Sequence, residues 1–296
     1  MTWGGDTDIH EARDILTTYY EAGGRFVDTA DGYGDGAAEE MLGELLRDLP
    51  DVVVSTKAGS TKGQRRRDAS RAHLLTALDT SLRRLRRSHI DVWQVAAWDA
   101  HTPLDETLAA LDHAVSAGKV RYAGVSNFSG WQLATASAGA ARITAAQMEY
   151  SLLQRGVERE VLAAAAHHGT GLVAWSPLGR GVLTGKYRHS TPSDSRGAST
   201  QFAPFVAPYL LERPRAIVEA VCTAADGLGL GPAHVALAWV TARAGVSSAL
   251  VGPRSVAQLR SLLSGVDATL PGEIHDALDE VSAPDRGYPE HGWNQP

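Results

Sequence analysis

Apolar residues along this chain follow two alternating rhythms. Short runs rich in β-branched and aromatic residues are each followed by a stretch whose apolar positions recur every three to four residues. The short runs are RFVDT at 25–29, VVVST at 52–56, IDVWQV at 90–95, VRYAGVS at 120–126, ITAAQM at 143–148, GLVAW at 171–175 and SALVG at 248–252. Between them the pattern predicts helices. The first is capped by Asp8, with Glu11 at capping-box spacing, and ends at Gly23–Gly24. The second covers about 37–47, and the third follows Ser70 with Leu74, Leu75, Leu78, Leu82 and Leu85 on one face. A fourth is capped by Thr102 with Pro103 in its first position, a fifth begins near Ser129, and a sixth covers about 157–168. Further helices are predicted near 214–226, at 232–243 opened by Pro232, after a cap at Ser255, and around 273–281.

Strands that alternate with helices are parallel and joined by crossovers. Either a barrel or a doubly wound sheet would show this order, and the polar residues decide between them. Nearly every strand hands over a reactive side chain at its C-terminal end, where barrels build their sites. A doubly wound sheet gathers its site at one switch point. No G-x-G-x-x-G follows a strand; GYGDG after Asp28 leads into a loop without that spacing. The prediction is one (β/α)8 TIM barrel domain over 1–296. Such a barrel has eight strands with a strand first, whereas seven runs are found and the chain opens with a helix. The first strand is therefore expected to be missing, leaving RFVDT and SALVG as edges. An internal Met taken as the start, a fragment and a decaying gene would each explain this. The segment at about 186–213 is rich in Ser, Thr, Pro and Gly and too long for an ordinary connection. Phe202, Phe205 and Tyr209 within it predict a lid folded over the pocket.

The formal net charge of −6, from 28 basic and 34 acidic residues, argues against a nucleic-acid surface. The basic clusters RRR at 65–67 and RRLRR at 83–87 read as a polar loop and the solvated face of a helix. Cys222 is the single cysteine, in an apolar helical run, so it reads as core in a reducing compartment. The opening MTWGGDTD has no positive or apolar leader, and no 18-residue apolar run follows. A cytoplasmic location with no membrane partner is expected. No His, Cys, Asp or Glu grouping has metal-ligand spacing.

Asp28 and Tyr33 lie five residues apart at the end of one strand, and Lys57 ends the next. Neighbouring parallel strands are about 4.8 Å apart, so the three side chains can meet over the barrel mouth. A phenol titrates near pH ~10, and an adjacent ammonium favours its anion. A carboxylate beside the Lys keeps that ammonium charged. Tyr, Lys and Asp together make a plausible general-acid relay, although each alone has a plain structural reading.

FVDTADGYGDGAAEEMLGELL, VVVSTKAG, GKVRYAGVSNFSGWQL, QMEYSLL, WSPLGRGVLTGKY and LVGPRSVAQL occur in that order along the chain. Together they resemble the aldo-keto reductase family over residues 1 to about 282. The resemblance implies a barrel that binds NADPH and reduces a small aldehyde or ketone to an alcohol by hydride transfer. Tyr33 would donate the proton, Lys57 would lower its pKa, and Asp28 would partner Lys57. Ser126, Asn127 and Gln147 match the residues that bond the nicotinamide carboxamide, and Trp175 matches the aromatic stacked on that ring. Ser176, Leu178 and Gly179 match the pyrophosphate-facing turn. Arg254, Ser255 and Gln258 match the helix N-terminus that holds the adenosine 2′-phosphate, which implies NADPH over NADH. Leu262 departs from the Asn frequent at its position. A second departure concerns chemistry: the family's fourth catalytic residue is a His at the position of Ala96. Alanine donates nothing, and loss of such a donor slows reaction by roughly 10²–10³. His89 and His101 are not at the matching level. The rival expectations are a non-catalytic NADPH-binding sensor or accessory subunit, since channel-associated family members also lack this His, or an inert truncated paralogue.

Overall fold

The computed structural model describes residues 2–5, 7–61, 67–193, 195–200, 202–285 and 287–288. Seven strands form one all-parallel sheet in chain order. They are β1 Phe26–Asp28, β2 Val53–Ala58, β3 Ile90–Val95, β4 Val120–Ser126, β5 Ile143–Glu149, β6 Gly171–Trp175 and β7 Val246–Leu250. Around them lie α1 Ile9–Glu21, α2 Ala37–Leu45, α3 Arg71–Leu85, α4 Leu104–Ser116, α5 Gly130–Ser137 and α6 Val161–His168. The series continues with α7 Ala203–Val206, α8 Glu212–Leu228, α9 Pro232–Thr241, α10 Val256–Leu263 and α11 Gly272–Ser282. The sheet curls into a nearly closed (β/α)8-type TIM barrel that lacks one strand. Among the described residues β1 and β7 do not pair with each other. The gap shows in burial: the three β1 residues are all half-buried, and β7 has no buried position. In β2 every residue after Val53 is buried.

Side chains of a strand alternate between faces, and this decides what each position can do. In β2, Ser55 and Lys57 reach Asp28 on β1, while Thr56 between them reaches Glu39 on α2. The barrel interior thus carries a polar layer, and the outer layer is built with the helices. Leu74, Leu78 and Leu85 of α3 are fully buried in that outer layer, whereas Leu75 and Leu82 flank it half-buried. Each fully buried leucine contributes roughly 1.5–3 kcal/mol relative to exposure. Cys222 is a buried core thiol on α8.

Several local expectations shift. The Asp8 carboxylate accepts from the amides of His10 and Glu11, but Glu11 does not close the capping box. Its Oε1 accepts instead from the Val256 amide at the start of α10, 2.7 Å away, a tertiary contact stronger than the local one. Pro103 rather than Thr102 is the cap of α4, because the Thr102 hydroxyl is drawn to Asp99 Oδ2 at 2.6 Å. The helix expected from 157 starts at Val161 after a 3-10 turn at Gly156–Glu158, and β7 lies two residues earlier than expected. The RRLRR run is not simply solvated: Arg84 turns toward the loop after β1, and Arg87 pairs with Asp91. Of the RRR run, 65 and 66 lie outside the described residues, and Arg67 donates to the Trp98 carbonyl.

Candidate active site

Asp28, Tyr33 and Lys57 come together at the C-terminal end of β1 and β2. Lys57 Nζ stands 2.6 Å from Asp28 Oδ2 and donates to the Thr29 carbonyl at 2.7 Å. Burial presses this ammonium toward neutrality. The Asp28 carboxylate, and after it the Tyr33 phenol, more than offset that pressure, so the Lys57 pKa is raised and its charge is retained. Lys57 Nζ lies 5.2 Å from the centre of the Tyr33 ring. Tyr33 opens a tight turn, Tyr33–Gly36, in which Gly34, Asp35 and Gly36 all have positive φ.

Two residues that were not singled out, or not for this role, complete the surroundings of Asp28. Ser55 Oγ donates to Asp28 Oδ1 at 2.9 Å and accepts from Gln94 Nε2 at 2.8 Å. Gln147 Nε2 reaches across from β5 to the same Oδ1 at 2.8 Å. Ser55 follows the inward period of β2 two residues before Lys57, a signal present in the sequence. The span from Gln147 to Asp28 has no such signal.

Beside this cluster, Asn127 has φ 56° and bridges the ends of three strands. Its Nδ2 donates to the Ala96 carbonyl and to Ser126 Oγ, each at 3.0 Å, and its Oδ1 accepts from Trp175 Nε1 at 3.0 Å. Ala96 is half-buried, and its amide donates to the Ala58 carbonyl. The turn after β6 runs through four further left-handed residues at Ser176, Gly179, Arg180 and Gly181. Gly179 has φ 53°, and a Cβ there would come within 2.7 Å of Leu153 Cδ1, so a side chain would be strained and would displace Leu153.

The lid region is not structureless. It holds short helical turns at Arg196–Ala198, α7 and Ala207–Leu210. Phe205 stacks near Trp175 with ring centres 6.4 Å apart and planes 14° apart. Arg180 holds this segment. It makes a two-pronged pair with Glu149 at 2.7 Å, donates to the Phe205 carbonyl, and lies 3.8 Å over the Phe205 ring. Tyr209 also donates to Glu149, at 3.0 Å. Glu149 and Arg180 escaped sequence reasoning because nothing local connects residues so far apart.

At the far end, Ser255 and Gln258 cap α10 reciprocally: Ser255 Oγ accepts from the Gln258 amide and Gln258 Oε1 from the Arg254 amide. Glu11 occupies the Val256 amide, so the helix N-terminus alone is a weaker anion site than expected. The charge comes instead from a guanidinium the sequence reading missed. Arg196 of the lid lies over Gly252, and its pKa is lowered first by burial and then by the Arg254 charge. Two guanidiniums repelling each other in a half-buried place fit an anion such as a phosphate. These cations and the Trp175 ring are an anion-binding group and an aromatic surface, the two kinds of contact that a nicotinamide dinucleotide uses.

Among the described residues no helix is long and apolar enough to cross a membrane, and no three His, Cys, Asp or Glu side chains group as a metal site. Compared with known proteins, the chain matches the model of the aldo/keto reductase family over residues 1–283. It is 34% identical to a probable voltage-gated potassium channel subunit beta of Arabidopsis thaliana, covering 95% of this chain and 90% of that protein. A probable voltage-gated potassium channel subunit beta of Oryza sativa subsp. japonica is also 34% identical, over 96% of this chain and 90% of its own length. The uncharacterized oxidoreductase YrpG of Bacillus subtilis (strain 168) is 35% identical, over 95% of this chain and 90% of its own.

Proposed function

The chain belongs to the aldo/keto reductase family, and from that premise we propose that it reduces a small aldehyde or ketone to an alcohol with NADPH, Tyr33 serving as general acid. The observation that carries this reading is the charged, buried Lys57 held between Asp28 and the Tyr33 phenol. NADPH, when bound, supplies the hydride. The chain's own residues do the rest. Tyr33 gives its proton to the carbonyl oxygen, and the Lys57 ammonium stabilises the negative charge left on the phenol oxygen. Asp28 fixes the ammonium and is itself held by Ser55 and Gln147. Trp175 offers an aromatic face to the nicotinamide, and Ser126 and Asn127 bond its carboxamide. Gln147, already tied to Asp28 through Nε2, has Oε1 for the same group and so links cofactor to relay. The turn of Ser176, Leu178 and Gly179 faces the pyrophosphate. Arg196 joins Arg254 in binding the 2′-phosphate, which favours NADPH over NADH; Ser255 and Gln258 shape that end by capping α10. The lone buried cysteine supports a cytoplasmic setting.

Ala96 favours a second reading. A carbonyl held without a donor at that level is less polarised, and two of the relatives are named as channel subunits. On this reading the protein binds NADPH as a sensor or accessory subunit and turns over slowly or not at all.

One experiment separates the two. NADPH binding is followed by its fluorescence, and its oxidation by a panel of aliphatic and aromatic aldehydes is measured for the parent and Tyr33→Phe. The reductase reading expects turnover by the parent, a loss of 10²-fold or more in Tyr33→Phe, and NADPH affinity kept within twofold. Binding without turnover in the parent would leave the sensor reading.

A further inference from the structure

Tyr33 is carried by a left-handed turn that its two glycines suit but do little to hold rigid. Gly34, Asp35 and Gly36 have φ values of 58°, 57° and 99°, and Asp35 pays the steric penalty of a side chain in the left-handed region. Two glycines leave the turn pliable, so its neighbours decide where it sits. The residue against it is Arg84, near the end of α3. A Cβ built on Gly36 would fall 2.1 Å from Arg84 Cζ and 2.5 Å from Nε, so the guanidinium lies directly on the turn's backbone. Its Nη1 donates to the Asp31 carbonyl at 3.4 Å and its Nη2 to the Asp35 carbonyl at 3.3 Å. These two carbonyls bracket Tyr33. The same guanidinium pairs with Glu39 Oε2 at 3.4 Å and approaches Glu40 at 3.9 Å.

Glu39 makes the connection to the other half of the relay. Its side chain is fully buried, and its Oε1 accepts from Thr56 Oγ1 at 2.7 Å. Thr56 is the outward-facing neighbour of Lys57. A continuous polar chain therefore runs behind the site, from the strand that presents Lys57, through Thr56, Glu39 and Arg84, to the turn that presents Tyr33. A fully buried carboxylate is expensive to keep unless paired. Here one oxygen holds the Thr56 hydroxyl beside Lys57 and the other holds the guanidinium that lies on the Tyr33 turn.

We propose that Arg84 is a positioning residue for Tyr33, setting the phenol's distance from Lys57 through the Tyr33–Gly36 turn. The inference rests on the reductase reading for its consequence in catalysis but not for its geometry. Arg84 touches neither substrate nor cofactor in this role, so its loss acts on the chemical step and leaves cofactor affinity alone. Lysine carries the charge without the planar fork that spans two carbonyls and a carboxylate, and it restores little.

The test uses the full chain labelled with [13Cζ]tyrosine, the Tyr33 resonance being assigned by its loss in Tyr33→Phe. Arg84→Ala, Arg84→Lys and, as a control on the same helix, Arg83→Ala are compared with the parent. The Tyr33 resonance is expected to move in both Arg84 variants and stay in place in Arg83→Ala. With an aldehyde the parent reduces, kcat is expected to fall about 10- to 100-fold in the Arg84 variants with NADPH Kd within twofold, as small misplacements of a reacting group produce. Should Arg84→Ala fail to fold, Arg84→Lys decides both readouts. An unmoved Tyr33 resonance with unchanged kcat overturns the proposal. So does a kcat loss matched by an equal loss of NADPH affinity, which would mark a merely structural residue. If the parent reduces no aldehyde, the reductase reading fails, while the resonance still decides whether Arg84 sets the phenol's place.

Discussion

A single methyl group, Ala96, follows β3 where the sequence resemblance implies a hydrogen-bond donor, and its backbone contacts bear on a replacement there. The Ala96 amide and carbonyl are both committed, to Ala58 and Asn127, so a new side chain would project from a held backbone. Ala96→His is expected to raise kcat toward aldehydes by about 10²-fold, the usual worth of one well-placed donor, as measured by steady-state NADPH oxidation. A variant no faster than the parent would mean the carbonyl does not sit at that level. Asp31, on the same loop as Tyr33, has its pKa raised from 3.8 to about 6, first by burial and then by the Glu39 charge, with Arg84 and Lys57 opposing. A carboxyl whose pKa is higher folded than unfolded binds its proton more tightly in the native state. Its contribution to stability is thus most favourable at low pH and is lost as pH rises from about 4 to about 6. Asp31→Asn should match the parent's Tm near pH 4 and exceed it increasingly up to about pH 6, with a constant lead above. The lead corresponds to at most about 3 kcal/mol, less for the solvent access that remains. A lead independent of pH would show that Asp31 titrates normally. Residues like Asp28 and Lys57 were legible because each ends a strand on a predictable face. Gln147 reaching Asp28 and Arg196 facing Arg254 were not, since their meaning depends on partners brought close only by the closed fold.

At the scale of elements, periodicity located all seven strands and every helix but the short α7 to within a few residues, because each face is set by burial against its neighbours. Its failures came where a tertiary partner outbid a local one. Glu11 left its own helix cap for the Val256 amide, and Thr102 left the cap of α4 for Asp99. The lid is the largest such case. Its composition predicted a covering loop, but its fastening, Arg180 against Glu149, Phe205 and Tyr209, has no local pattern at all. Arg180 tolerates φ 60° to make those contacts. Arg180→Met should remove them and strand the largely buried Glu149 carboxylate, lowering unfolding free energy by roughly 3–5 kcal/mol in urea titrations. Limited proteolysis should then cut first between 195 and 211 at rates well above the parent's. Equal lid cleavage in parent and variant would show that something other than this clamp holds the segment.

At the scale of the whole molecule, the seven-stranded barrel places its candidate site astride its weakest seam. The outermost strands, β1 and β7, each lack a neighbour on one side among the described residues and are half-buried or exposed throughout. β1 ends on Asp28 and leads into Tyr33, and β7 leads into Arg254, so a dinucleotide that reached from relay to guanidiniums would span the two edges. Backbone hydrogen bonds with little apolar cover open most readily. Amides of Phe26–Asp28 and Val246–Leu250 should accordingly exchange with deuterium much faster than those of Ile90–Val95, which lies between two paired strands. A ligand that binds only the closed arrangement stabilises it by about 2.7 kcal/mol at a hundred times its Kd. If NADPH bridges the seam, that stabilisation appears unevenly: protection at β1 and β7 rises by more than at β3 and β4, and Tm rises with NADPH concentration. Protection that rises equally everywhere would place the cofactor's hold within one side of the barrel. Protection unchanged at the edges, with NADPH bound, would separate the relay from the cofactor and remove the physical basis for hydride transfer beside Tyr33.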